Sequence, residues 1–233
     1  MENDQMGLEE LATYLHRDVR EVSKLASRGY LPGRKVGGEW RFARAEINHW
    51  IETQMHAYTE QELATLELAR DRAGTEQPLV TSILTEATMA VPLLANTRAS
   101  VLKELVNLAG QSWDVFDPEA VLSAIRQREE LGSTALESGV AIPHPRRPLP
   151  NALGDHVIAF GKTINGIPFG GADGGLTDLF FLVCCRDDRT HLRMLARLSR
   201  ILLRPGLIGE LRAAEDVGDA HQKLVEAEQE LIA

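Results

Sequence analysis

Beyond residue 79 the chain alternates between two kinds of pattern, and this alternation limits the folds open to it. SGVAIPH, HVIAFGKTI and LTDLFFLVCC are short, apolar and rich in β-branched or aromatic residues. SVLKELVNLAG, PEAVLSAIRQREEL and HLRMLARLSRILL carry helical periodicity, the last with Leu192, Leu195, Leu198 and Leu202 on one stripe. Continuously apolar strands need cover on both faces, and interleaved amphipathic helices supply it. Residues 79–233 therefore predict an α/β layered domain with a mixed sheet of about five strands flanked by helices.

The first 55 residues follow another plan. LEELATYLHR sets Leu8, Leu11, Ala12 and Leu15 at helical spacing. Asp18 is suited to cap a second helix, VREVSKLASRGY, with Val22, Leu25 and Ala26 inward and Gly29 at its end. LPGRKVGGEWRF then places two short runs around Gly37-Gly38, a hairpin signal because glycine accepts positive φ. RAEINHWIETQM returns to helix with Ile47, Trp50 and Ile51 inward. Helix, turn, helix, hairpin and helix describe a small winged helix-turn-helix, so the chain reads as a two-domain α+β protein.

Net charge is −9, which taken alone argues against nucleic acid. The charge is unevenly spread, however. From Arg17 to Arg44 eight basic residues face three acids, a local charge of +5. The stretch Leu8 to Ile51 resembles the excisionase/MerR-type DNA-binding domain, in which an LxxxAxxL helix precedes a GxLP turn, VGGxWRF and a Trp-bearing helix. That resemblance implies double-stranded DNA as partner. Arg20, Ser23, Lys24 and Ser27 would face the major groove, and Arg34, Lys35 and Arg41 the phosphates or minor groove. A basic face that docks a protein partner is the alternative. One small module offers few contacts, so a homodimer is expected on DNA.

Residues 56–78 form a connector. Thr59 or Glu60 opens a helix predicted to run through Arg72, with a short stripe of Leu63, Leu66 and Ala69-Arg70. Such a helix either dimerises or lies on one of the domains. The composition, 44% hydrophobic and 25% charged, is that of a globular chain. No apolar run is long enough to span a membrane, and the start MENDQMGLEE is acidic, so a cytoplasmic protein without membrane insertion is expected. Cys184 and Cys185 are neighbours and unsuited to stapling a fold, which fits a reducing compartment.

His144 stands between Pro143 and Pro145 after the run Val140-Ala141-Ile142. Pro143 fixes its own φ, and Pro145 holds the histidine extended, so the ring is aimed at one place. Imidazole, with a reference pKa near ~6.5, is a nucleophile at neutral pH without a metal. REELGSTALESGVAIPH resembles the signature of the phosphotransferase system enzyme IIA type-2 domain, the mannitol/fructose/nitrogen class, which runs RExLxST and then GVAIPH. RTHLRMLARLSRILLRP is similar to the family's second landmark, a histidine opening an HLxxLARLSxxL helix.

The resemblance implies that His144 accepts a phosphoryl group from a histidine phosphocarrier protein. It implies that His191 orients the ring or a phosphoryl oxygen, and that Arg128 clamps phosphoryl oxygens. Ser133, with Thr134 beside it, would add a hydroxyl. The ring is expected to be open and opposite the Arg128 fork. The family commonly has a small residue after the histidine, and here Pro145-Arg146-Arg147 follows, removing one backbone N–H donor. No cofactor is implied, and a zinc site, which needs three or four ligands, is disfavoured by the spacing of the histidines. Together the domains suggest a transcription regulator that reports the state of the phosphotransferase system. The alternatives are a phosphoryl relay with a protein-docking N-terminal domain, and a degenerate sensor that carries no phosphate.

Overall fold

A computed structural model describes residues 5–69 and 77–233. The chain divides into two compact units, Met1–Tyr58 and Thr59–Ala233.

In the smaller unit, β1 (Gln5–Met6) leads into α1 (Leu8–Leu15) and α2 (Val19–Ser27). These are followed by β2 (Arg34–Val36), β3 (Glu39–Ala43) and α3 (Arg44–Gln54). Asp18 caps α2 by accepting the N–H of Arg20 at 2.8 Å, and Gly29 leaves the helix at φ 75°. The hairpin turns through Gly37 at φ 60° and Gly38 at φ 88°, a left-handed pair that a side chain would strain. The sheet order is β1-β3-β2, all antiparallel. Its core holds Leu11, Ala12, Val22, Ala26, Leu31, Phe42, Ile47 and Ile51, while Leu25 and Trp50 are half-buried. The two-residue β1 carries too short a pattern to be read from sequence.

The larger unit opens with α4 (Glu60–Leu68), capped by a reciprocal Thr59–Glu62 box. It continues through β4 (Met89–Ala90), α5 (Arg98–Ala109), α6 (Pro118–Glu130), β5 (Val140–Ala141), β6 (Val157–Pro168) and β7 (Leu176–Cys184). It closes with α7 (Asp188–Leu202), α8 (Leu207–Ala213) and α9 (Val217–Ile232). Among the described residues the mixed sheet has four strands, β4-β6-β7-β5, with only the β6–β7 pair antiparallel. A single Ala135–Ala141 bridge extends it beyond β5, in place of a fifth strand.

Phe180, Leu182 and Cys184 of β7 join α5 and α6 residues in one core. Side chains alternate along a strand, so Leu179, Phe181 and Val183 point to the opposite face, and α7 and α8 both contact β7. All six of these residues are buried, as a strand covered on both sides requires.

The stripe of α7 is buried as its periodicity indicates, and so is a second face bearing Met194 and Arg197. That face is covered by α4, which packs along α7. Glu67 of α4 accepts the Nε of Arg197 at 2.6 Å and the Nη1 of Arg200 at 2.7 Å, and Glu60 takes Arg200 at 2.8 Å. The connector helix is thus part of the larger unit. Its predicted continuation through Arg70 and Arg72 lies outside the described residues. No helix among the described residues is long and apolar enough to cross a membrane.

Candidate functional site: a histidine pair at the ends of parallel strands

β5 runs parallel to β7, pairing Val140 with Leu179 and Ala141 with Phe180. Parallel neighbours end at the same sheet edge, where α/β folds collect functional groups. His144 lies three residues beyond β5, held alongside β7 by a Val183 N–H to Pro143 C=O bond of 3.0 Å. His191 lies in the first turn of α7, which follows β7. Asp187 caps that helix through the Thr190 N–H at 2.8 Å, and its carbonyl accepts the N–H of His191 at 3.1 Å. The two rings meet with centroids 5.2 Å apart and planes inclined by 56°.

The Nδ1 of His144 is 2.7 Å from the carbonyl oxygen of Ile142. A carbonyl only accepts, so Nδ1 carries a proton, and in the neutral ring the lone pair stands on Nε2. The backbone two residues upstream thereby sets the tautomer. Both rings are buried, His144 at 4% exposure and His191 at 3%. The expected openness of the acceptor ring is not found in this arrangement, and a transfer partner needs Nε2 uncovered.

Residues 134–136 pair antiparallel with 140–142, through Leu136 N–H to Val140 C=O at 2.8 Å and Ile142 N–H to Thr134 C=O at 3.4 Å. This pairing brings the REELGST segment alongside the histidine stretch. Arg128 is buried and donates from Nη1 to the carbonyl of Gly132 at 2.8 Å. The Ser133 hydroxyl donates to the Phe169 carbonyl at 2.9 Å and accepts the Ala135 N–H at 3.1 Å, so its proton serves the turn. Thr134 donates its hydroxyl to Glu129. Glu129 and its partner Arg98, joined at 2.7 Å, were not among the residues singled out from sequence. Glu129 sits inside the REELGST motif and was open to notice, whereas Arg98, thirty-one positions upstream, carries no local signal.

In the smaller unit Arg20, Lys24 and Ser27 are exposed on α2, with Ser23 half-buried. Arg34 and Lys35 are exposed on β2, and the Nζ of Lys35 lies 5.2 Å from the Trp40 ring centre. Arg41 is bound to its own hairpin, donating to the Glu39 carboxylate at 2.7 Å and the Trp40 carbonyl at 3.3 Å.

Residues 82–227 match the family model described as phosphoenolpyruvate-dependent sugar phosphotransferase system, EIIA 2, and residues 6–55 match a helix-turn-helix domain model. A nitrogen regulatory protein of Bradyrhizobium diazoefficiens is 33% identical over 144 residues, covering 59% of this chain and 88% of that protein. The PTS system fructose-specific EIIABC component of Bacillus subtilis is 29% identical over 152 residues, 62% of this chain. The matched region spans only 24% of that longer relative. Among solved structures, nitrogen regulatory protein IIA-Ntr from Neisseria meningitidis aligns with a TM-score of 0.57 at 22% identity. It covers 63% of this chain and 99% of that one. IIA mannitol from Escherichia coli aligns at 0.52 and 18%, covering 66% and 99%. Both likenesses concern the fold.

Proposed function

The chain belongs to the phosphoenolpyruvate-dependent sugar phosphotransferase system EIIA 2 family, fused to a helix-turn-helix domain, and on that premise we propose that His144 accepts a phosphoryl group which regulates DNA binding. The observation that carries the reading is the His144 Nδ1 to Ile142 carbonyl bond of 2.7 Å. In the neutral ring it leaves the lone pair on Nε2 as the nucleophile, and phosphoryl transfer asks little more of a protein than positioning and charge stabilisation.

The donor in this reading is a phosphorylated histidine phosphocarrier. Nε2 attacks its phosphorus, the P–N bond to the carrier breaks, and the carrier's imidazole leaves with the electron pair. His191 steadies a phosphoryl oxygen or the first ring, and the buried Arg128 guanidinium supplies positive charge beside the turn. The new group adds about −1.5 to −2 of charge at a buried position, which favours a changed arrangement around it. The helix-turn-helix domain reads double-stranded DNA through Arg20, Ser23, Lys24 and Ser27, with Arg34 and Lys35 on the wing and Arg41 as a lesser contact because Glu39 holds it. A homodimer would supply the second set of contacts, and the cytoplasm is the compartment that holds the carrier.

A second reading, a sensor that carries no phosphate, is favoured by the burial of His144 and by Pro145 after it. One experiment separates them. The full chain is incubated with the carrier, its phosphorylating enzyme and phosphoenolpyruvate, the modified residue is mapped, and affinity for duplex DNA is followed against salt. The expected outcome is acid-labile phosphate on His144, lost in His144→Ala, and a steep fall of DNA affinity with salt that phosphorylation shifts. Uptake undiminished in His144→Ala rejects the site. No uptake at all leaves the sensor.

A further inference from the structure

The Glu129 carboxylate is nearly solvent-free, with a side-chain exposure of 1%, yet the reaction as derived gives it no task. Its Oε1 and Oε2 lie 3.3 and 3.4 Å from the Thr134 backbone nitrogen, and Oε1 also accepts the Thr134 hydroxyl. Arg98, at the start of α5, donates to that carboxylate at 2.7 Å and to the Glu129 carbonyl at 2.6 Å. The same guanidinium lies 5.3 Å over the Phe169 ring, and the Phe169 carbonyl takes the Ser133 hydroxyl. Residues 133 and 134 are therefore gripped from two sides.

The grip leads to the acceptor ring by a short path. The Thr134 carbonyl receives the Ile142 N–H at 3.4 Å, a long bond, and the Ile142 carbonyl receives Nδ1–H of His144 at 2.7 Å. Displacing Thr134 by a few tenths of an ångström loosens that long bond first and frees the Ile142 carbonyl to turn. Glu129 is buried but the Arg98 side chain is 36% exposed, and an ion pair half open to water adds little net stability, so its use here is better explained by what it holds in place.

We infer that Glu129, braced by Arg98, is a positioning residue for phosphoryl acceptance: through Thr134 and Ile142 it keeps His144 in the Nδ1–H tautomer that presents Nε2. The consequence for transfer rests on the reading of His144 as acceptor, whereas the tautomer is a property of the resting protein.

The test uses the full chain with 15N-labelled histidine. In Glu129→Gln one oxygen becomes an NH2 group, so one of the three donors loses its acceptor. The expected result is a His144 spectrum that moves from a single Nδ1–H form to a mixture of tautomers. Phosphoryl uptake should slow about tenfold, the effect of one lost hydrogen bond, at unchanged KM for the carrier. Thr134→Val removes only the hydroxyl and should move both readouts in the same direction but less far. It serves as the test if Glu129→Gln does not fold. A folded variant with the wild-type tautomer signature overturns the inference. Failure of the wild-type protein to take up phosphate instead overturns the reading of His144, and the tautomer comparison still decides the role of Glu129.

Discussion

Glu228 offers the sharpest stability experiment. From α9 its fully buried carboxylate accepts three consecutive backbone N–H groups, Leu79 at 2.8 Å, Val80 at 2.9 Å and Thr81 at 2.8 Å. It also accepts the Thr81 hydroxyl at 2.6 Å and the Nη1 of Arg197 at 3.1 Å. Arg197 is itself fully buried and shared with Glu67. Glu228→Ala leaves a buried guanidinium with one carboxylate fewer and the anchored segment without its acceptor. Removing one partner of a buried pair costs about 3–5 kcal/mol. A domain's whole stability is about 5–15 kcal/mol. At this size each kcal/mol moves Tm by about 2–4 °C, so the midpoint should fall by roughly 6–20 °C in a thermal melt followed by circular dichroism at pH 7.

The pH dependence has a defined sign. Burial by itself raises the Glu228 pKa, but bonds from the Thr81 hydroxyl and from the N–H groups of Thr81, Val80 and Leu79 outweigh it and hold the carboxyl below the usual range. A depressed carboxylate stabilises fully above its unfolded value, about 4.3, and loses that contribution as pH falls through the lower folded value. The gap in Tm between wild type and Glu228→Ala should therefore be constant from neutral pH down to about 5, and narrow in acid below about 4.3. A midpoint shift under about 2 °C at pH 7 would refute the reasoning, because it would mean that the segment and Arg197 find other partners at no cost.

Cys184 and Cys185 should be unreactive in the folded protein, since burial pushes the Cys184 thiol up to about 12 and raises that of Cys185 as well. A thiol reagent at pH 8, read by mass, should modify both only in denaturant, and labelling of the native chain at the rate of a free thiol would contradict this. Gly33→Ala would set its Cβ against the ring of Phe42, a fully buried residue stacked on Trp40 at 5.7 Å. Overpacking of this kind costs about 1–3 kcal/mol, so amide exchange of the hairpin should quicken about fivefold or more while β6 and β7 keep their protection.

Much of the local structure was legible in the chain itself. The Asp18 cap, the Gly37-Gly38 turn, the amphipathic stripe of α7 and the prolines around His144 each act within a few residues, where covalent geometry and backbone hydrogen bonding decide the outcome. The pairing of His144 with His191 followed from motif resemblance, but its physical cause is tertiary: β5 runs parallel to β7, and their ends share one edge. The same holds for residues that no local pattern marks. Nothing along the chain distinguishes Glu67, Glu228 or Arg197 from charges on solvated helix faces, because a carboxylate on a helix looks alike whether water or an arginine meets it. Only the packing of α4 and α9 against α7 buries them, just as the approach of Arg98 and Thr134 gives Glu129 its place. Caps and turns are settled by neighbours along the chain, whereas buried charges are settled by which surfaces meet, and that is decided over the whole domain.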